Sequence, residues 1–72
     1  MLLKDILEVV DDDKFNILEI DKNTGWNTCI LIDKNTGRNL TDLKRLESAE
    51  VIGISSNPYN ALHDELLEIM VI

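Results

Sequence analysis

Cysteine, histidine and proline occur once each in this chain, and glycine and aromatic residues three times each. The lone Cys29 excludes an internal disulfide, and its place in the apolar run 28–32 predicts a small buried hydrophobe. His63 has no Cys or second His near it, which argues against zinc, a metal that draws most of its ligands from such side chains. There is no glycine-rich phosphate loop, no HExxH and no GxSxG. Fourteen acids would supply a carboxylate pair by chance, and 72 residues leave little room for a deep cleft. The expectation is a protein that is not an enzyme and holds neither a cofactor nor a metal.

Long hydrophobic runs are also missing. Nothing approaches the roughly 20 apolar residues of a membrane span. The opening MLLKDILEVVDDD is interrupted by Asp5 and Glu8 and lacks a small-residue cleavage pattern, so no signal peptide is expected and the cytoplasm is the expected location. Basic residues are scarce as well, with 7 Lys and Arg against 14 Asp and Glu. Affinity for a phosphate backbone comes mainly from Lys and Arg, so direct nucleic-acid binding is not expected, nor is a membrane partner.

What is present is an ordinary globular composition, 44 % hydrophobic and 29 % charged, in a chain of one-domain length, residues 1–72. Its net charge of −7 is unevenly spread. Residues 1–21 carry seven acids and two bases, residues 22–46 two acids and five bases, and residues 47–72 five acids and no base. Both ends are acidic and the middle is basic.

An eight-residue stretch, IDKNTGWN at 20–27, returns as IDKNTGRN at 32–39 with Trp26 exchanged for Arg38. An EF-hand loop needs oxygen ligands at positions 1, 3 and 5, glycine at 6 and a bidentate Glu at 12. Counted from Asp21, position 5 is Gly25, position 6 is Trp26 and position 12 is Ile32; counted from Asp33, position 12 is Lys44. Both copies fail as calcium loops. As turns they fit, because Asp accepts hydrogen bonds from amides two residues ahead and Gly supplies a positive φ. Gly25 and Gly37 are therefore predicted in the left-handed region.

Leu2, Leu3, Ile6, Leu7 and Val10 keep helical spacing and predict a helix over 2–10. Asp11, Asp12 and Asp13 follow at its C-terminal end, where the helix dipole disfavours them by about 0.3 kcal/mol each. A broken local rule marks a candidate contact patch. The runs 15–20 and 28–33 suit strands, and 39–50 reads as a returning segment with one helical turn, Leu40, Leu43 and Leu46 inward. EVIGIS at 50–55 is a further strand, in which Gly53 suggests a bulge or a close backbone approach. Asn57 to Asn60 is a loop. The tail 61–72 keeps both helical and strand spacing; the apolar run at 69–72 and the absence of a helix stop favour strand. The fold expectation is α+β, a short N-terminal helix on a small antiparallel sheet, a meander with two Asp-Lys-Asn-Thr-Gly turns.

Two functional classes follow. One is an interaction module that sets carboxylates against a basic groove of another protein, with Asp11, Asp12, Asp13, Asp64 and Glu65 as candidate contacts. Trp26 suits a cap on the core or a partner contact equally well. The other is an assembly protein, a homodimer that buries Trp26, Tyr59 or an exposed sheet edge against its own copy.

The opening LLKDILEVV with the strand pair FNILEID and TCILID gives a layout that resembles small acidic proteins of phages and mobile elements of low-GC bacteria. Inhibitors of host defence, including anti-CRISPR proteins, belong to that group. The resemblance implies a host protein as partner, such as a nucleic-acid-binding enzyme. The basic middle segment departs from a simple mimic of DNA.

Overall fold

The computed structural model describes residues 1–56 and 66–72. Its elements are α1 (Leu3–Leu7), β1 (Lys14–Ile20), β2 (Asn27–Asp33), α2 (Leu40–Arg45), β3 (Val51–Ser56) and β4 (Leu67–Val71). The class is α+β, as the periodicities predict. The four strands form one sheet in the order β2-β1-β4-β3. β1 and β2 make an antiparallel hairpin, β3 and β4 are antiparallel, and β4 lies parallel to β1. The sheet is therefore mixed, and the expected antiparallel meander is corrected twice over: β2 and β3 lie on opposite edges instead of pairing, and β4 runs parallel to β1. The cause is burial: no residue of 15–20 or 67–71 is exposed, whereas β2 and β3 carry exposed positions and take the edges.

Period-2 alternation sorts the side chains. Phe15 and Ile17 of β1 pair with Ile32 and Ile30 of β2, and Ile17 also pairs with Ile69 of β4, all on one buried face. Leu3 and Ile6 of α1, with Leu46 beyond α2, close over that face. Each such side chain contributes about 1.5–3 kcal/mol by leaving water. The opposite face carries Leu18, Leu31 and Met70, all half-buried, and Cys29, which is exposed. The expected burial of Cys29 is thus overturned. It stands opposite Leu18 on the open face, while its neighbour Ile30 turns into the core.

α1 is shorter than the periodicity predicts. It ends at Leu7, followed by turn bonds from the Val9 and Val10 amides to the Ile6 carbonyl. Its start is satisfied from outside: the Leu3 and Lys4 amides donate to the carbonyls of Ala49 and Glu47, and Asp5 accepts from the Leu2 amide at 3.2 Å. Along 40–46, Leu46 is buried and Leu43 half-buried, but Leu40 is exposed, contrary to the expected inward row. A step of three residues turns about 300°, so each leucine is rotated from the last and Leu40 swings out.

Gly53 lies at the expected irregularity, and its close neighbour is a side chain instead of another backbone. The β3 register shifts between Val51 and Gly53, and the Met70 methyl lies where a Cβ would stand. The tail is strand over Leu67–Val71. The loop at Asn57 to Asn60, His63, Asp64 and Glu65 lie outside the described residues.

Candidate interaction surface

The repeated hexapeptide builds two turns on one plan. In the first, the Asp21 carboxylate accepts from the Asn23 amide at 2.8 Å, Gly25 donates to the Asp21 carbonyl, and Asp21 donates to the Trp26 carbonyl at 2.9 Å. In the second, the Asp33 carboxylate accepts from the Asn35 amide at 3.0 Å, and Asp33 and Arg38 exchange backbone bonds. Gly25 and Gly37 take φ of 75° and 76°. A twice-used, hydrogen-bonded frame thus displays one variable residue, Trp26 in one copy and Arg38 in the other. Among the described residues no group of three or more His, Cys, Asp or Glu converges as a metal site.

Trp26 is 76 % exposed. Its backbone is held at both ends, the amide by Thr24 Oγ1 at 3.2 Å and the carbonyl by Asp21, while its ring does not cap the core. Trp26 borders an open groove of about 250 Å³ lined with it by Glu19, Ile20, Asp21 and Thr28. Glu19 and Thr28 are cross-strand partners. Arg45 of α2 grips Glu19 with two hydrogen bonds of 3.1 Å and reaches Asp42 at 3.5 Å. Those bonds, more than the simple attraction of the guanidinium, hold the Glu19 carboxyl below its usual range against a smaller opposing effect of burial. The groove is lined wholly by residues 19–28 of one hairpin, where the visible signal in sequence was the Trp-for-Arg exchange between copies; the Arg45–Glu19 pair was not legible, because α2 and β1 meet only in the fold.

Asp11, Asp12 and Asp13 are all exposed, and among the described residues none makes a side-chain hydrogen bond or ion pair. Their setting differs from the expectation. With α1 ending at Leu7, the triplet begins four residues on, beyond the reach of the helix dipole, so the expected electrostatic cost falls away. Instead the triplet runs into β1, and the Asp13 carbonyl accepts the Lys34 amide at 2.8 Å, tying it to the second turn. The Lys34 ammonium sits 5.8 Å from the Phe15 ring centroid.

The structure does not unite the candidate contacts. The triplet enters β1 at Lys14, and Trp26 faces the far end at Ile20, about 20 Å away along a seven-residue strand. There are two separate features, three carboxylates at one end of the hairpin and a tryptophan groove at the other.

On Cys29, burial by neighbours raises the thiol pKa, with a second contribution from the Glu68 charge. An exposed position therefore does not give a reactive thiolate. No helix among the described residues is long and apolar enough to cross a membrane. No protein-family model matches the chain, and neither a curated protein nor a solved structure matches it.

Proposed function

We propose that this protein is a small acidic interaction module of the cytoplasm that binds a basic, nucleic-acid-binding surface of another protein, in the manner of a phage-type inhibitor. The observation that carries this reading is the triplet Asp11, Asp12, Asp13. Three consecutive carboxylates stand in solvent with no cation among the described residues committed to them, so their charge is free to meet lysines and arginines of a partner. An internal ion pair would have spent that charge. The surplus of seven negative charges adds long-range attraction and speeds encounter.

Binding of a synthetic Lys- and Arg-rich helical peptide, followed by calorimetry between 50 and 300 mM salt, tests the reading. Affinity is expected to fall at least tenfold across that range, since exposed charges are screened beyond about 8 Å at physiological salt. Affinity that stays constant with salt would overturn it.

A second reading, self-association, is favoured by one observation. β3 is an edge strand with no charged residue, and it exposes Ile52 by 51 % and Ile54 by 47 %. Its start is covered, because the Val51 amide donates to the Met1 carbonyl, but none of the described residues pairs with its outer edge at 53–55. Light scattering decides: a monomer at 100 µM supports the first reading, and a dimer unaffected by salt supports the second.

A further inference from the structure

We infer that the groove beside Trp26 is a receptor for one arginine side chain of a partner protein, a claim that rests on the interaction-module reading and names an anchor within it. Three observations converge on a guanidinium.

The first is the ring. Trp26 is the only tryptophan, it is 76 % exposed, and its indole finds no hydrogen-bond partner among the described residues. A large aromatic surface held in solvent by a hydrogen-bonded turn has a stacking face ready for use, and the bonds that fix its backbone lower the ordering cost of binding.

The second is the charge of the walls. Glu19 and Asp21 are the ionisable residues lining the groove, and both are acids; Glu19 is paired with Arg45, so Asp21 carries the unspent charge. Asp21 commits one oxygen to the Asn23 amide, at 2.8 Å, which leaves the other available. Lys22 belongs to the same turn but is not among the walls.

The third is a precedent inside the chain. Glu19 already receives a guanidinium, that of Arg45, through paired 3.1 Å bonds. Arg45 fills the fork of Glu19, and Asp21 with Trp26 beside it offers a second guanidinium one open carboxylate oxygen and a π face. Arginine satisfies both demands together, by a charge-assisted hydrogen bond to the open Asp21 oxygen and by stacking of its planar guanidinium on the indole; lysine, a compact and strongly hydrated charge, satisfies them less well.

The test uses the whole chain and its own tryptophan as reporter. The probes are the capped tripeptide Gly-Arg-Gly and its citrulline counterpart, which keeps the shape and removes the charge. Two-dimensional NMR of the isotope-labelled protein is expected to show saturable shifts at the Trp26 indole and at the Asp21 and Thr28 amides with the arginine peptide. The citrulline peptide is expected to bind at least fivefold more weakly. Asp21→Asn keeps an acceptor oxygen for the turn and removes the charge; Trp26→Leu removes the ring from an exposed position. Each is expected to weaken the arginine peptide at least fivefold while leaving the rest of the spectrum in place.

Equal binding of the citrulline peptide would overturn the inference, as would unaltered binding by either variant. Shifts confined to residues 11–13 would also overturn it, while leaving the interaction module standing on its salt dependence. Loss of that salt dependence together with saturable shifts at Trp26 would retain the groove and remove the module.

Discussion

Asp21 and Asp33 each spend a carboxylate oxygen on the amide two residues ahead, and Gly25 and Gly37 each turn the chain with a positive φ. Nothing lies within 4 Å of the Cβ that a substitution would add at either glycine, so the cost of a side chain there is conformational alone. Alanine in the left-handed region costs about 1–2 kcal/mol. Gly25→Ala and Gly37→Ala should therefore each lower the melting temperature by at least about 4–8 °C, and asparagine at the same positions should cost less. The two turns lie at opposite ends of the hairpin, so their effects should add. Calorimetry checks this, and an unchanged midpoint for either alanine variant would contradict the turn geometry. These turns were legible in the sequence because their chemistry is local: an Asp, an Asn two residues on and a Gly suffice to define them. Cys29 was not, because its exposure depends on which face of the strand its neighbours Ile30 and Ile32 commit to the core. The apolar run alone hid that alternation.

Among the elements, β2 shows how an edge strand is managed. Its Leu31 carbonyl accepts from the Asn39 side-chain amide at 2.8 Å, and Asn39 itself sits at φ 58°, the only non-glycine residue with positive φ among those described. The side chain of Asn39 thus closes the sheet edge instead of capping α2, which it precedes. Asn39→Gly should lose about 0.5–1.5 kcal/mol from the missing hydrogen bond, and Asn39→Ala more, since it adds left-handed strain. Denaturant titration of the two variants measures the order; an alanine variant as stable as the glycine variant would contradict it.

The tie between α2 and β1 gives a pH dependence. The Glu19 carboxyl is held down mainly by its bonds to Arg45, so it ionises more readily folded than unfolded. A carboxylate with a depressed folded pKa contributes stability above its unfolded value, near 4.5, and loses it as pH falls through the folded one. The melting temperature should therefore drop between about pH 5 and pH 3, and less steeply in Glu19→Gln. Parallel melting curves of the two proteins over that range would contradict the assignment. Most elements were legible from β-branched content and helical spacing: strands at 14–20, 27–33 and 51–56, and a helix near the start. The parallel pairing of β1 with β4 was not. It joins residues about 50 positions apart in the chain, and periodicity carries no information on which strand an inward-facing row will meet.

At the scale of the whole molecule, the charge map changes meaning on folding. In sequence the ends are acidic and the middle basic; in the fold, β1 and β4 from the acidic ends form the centre of the sheet, and the basic middle supplies β2, the second turn and α2. Arg45 is consumed by Glu19 and Asp42, and Lys34 lies over Phe15, so part of the basic segment is spent inside the molecule. The carboxylates at 11–13 are not. Position, in addition to total charge, is what distinguishes an interaction module from a merely soluble acidic protein, and a charge-matched comparison separates the two. Asp11, Asp12 and Asp13 changed together to Asn remove three charges at one place; Glu8, Glu47 and Glu50, all exposed, changed together to Gln remove three charges elsewhere. The decisive measurement is the affinity of both variants for the same basic peptide at 100 mM salt. The expected result is a loss of tenfold or more for the aspartate variant and threefold or less for the glutamate variant. Equal losses would mean that the triplet has no privileged role and that only net charge is at work.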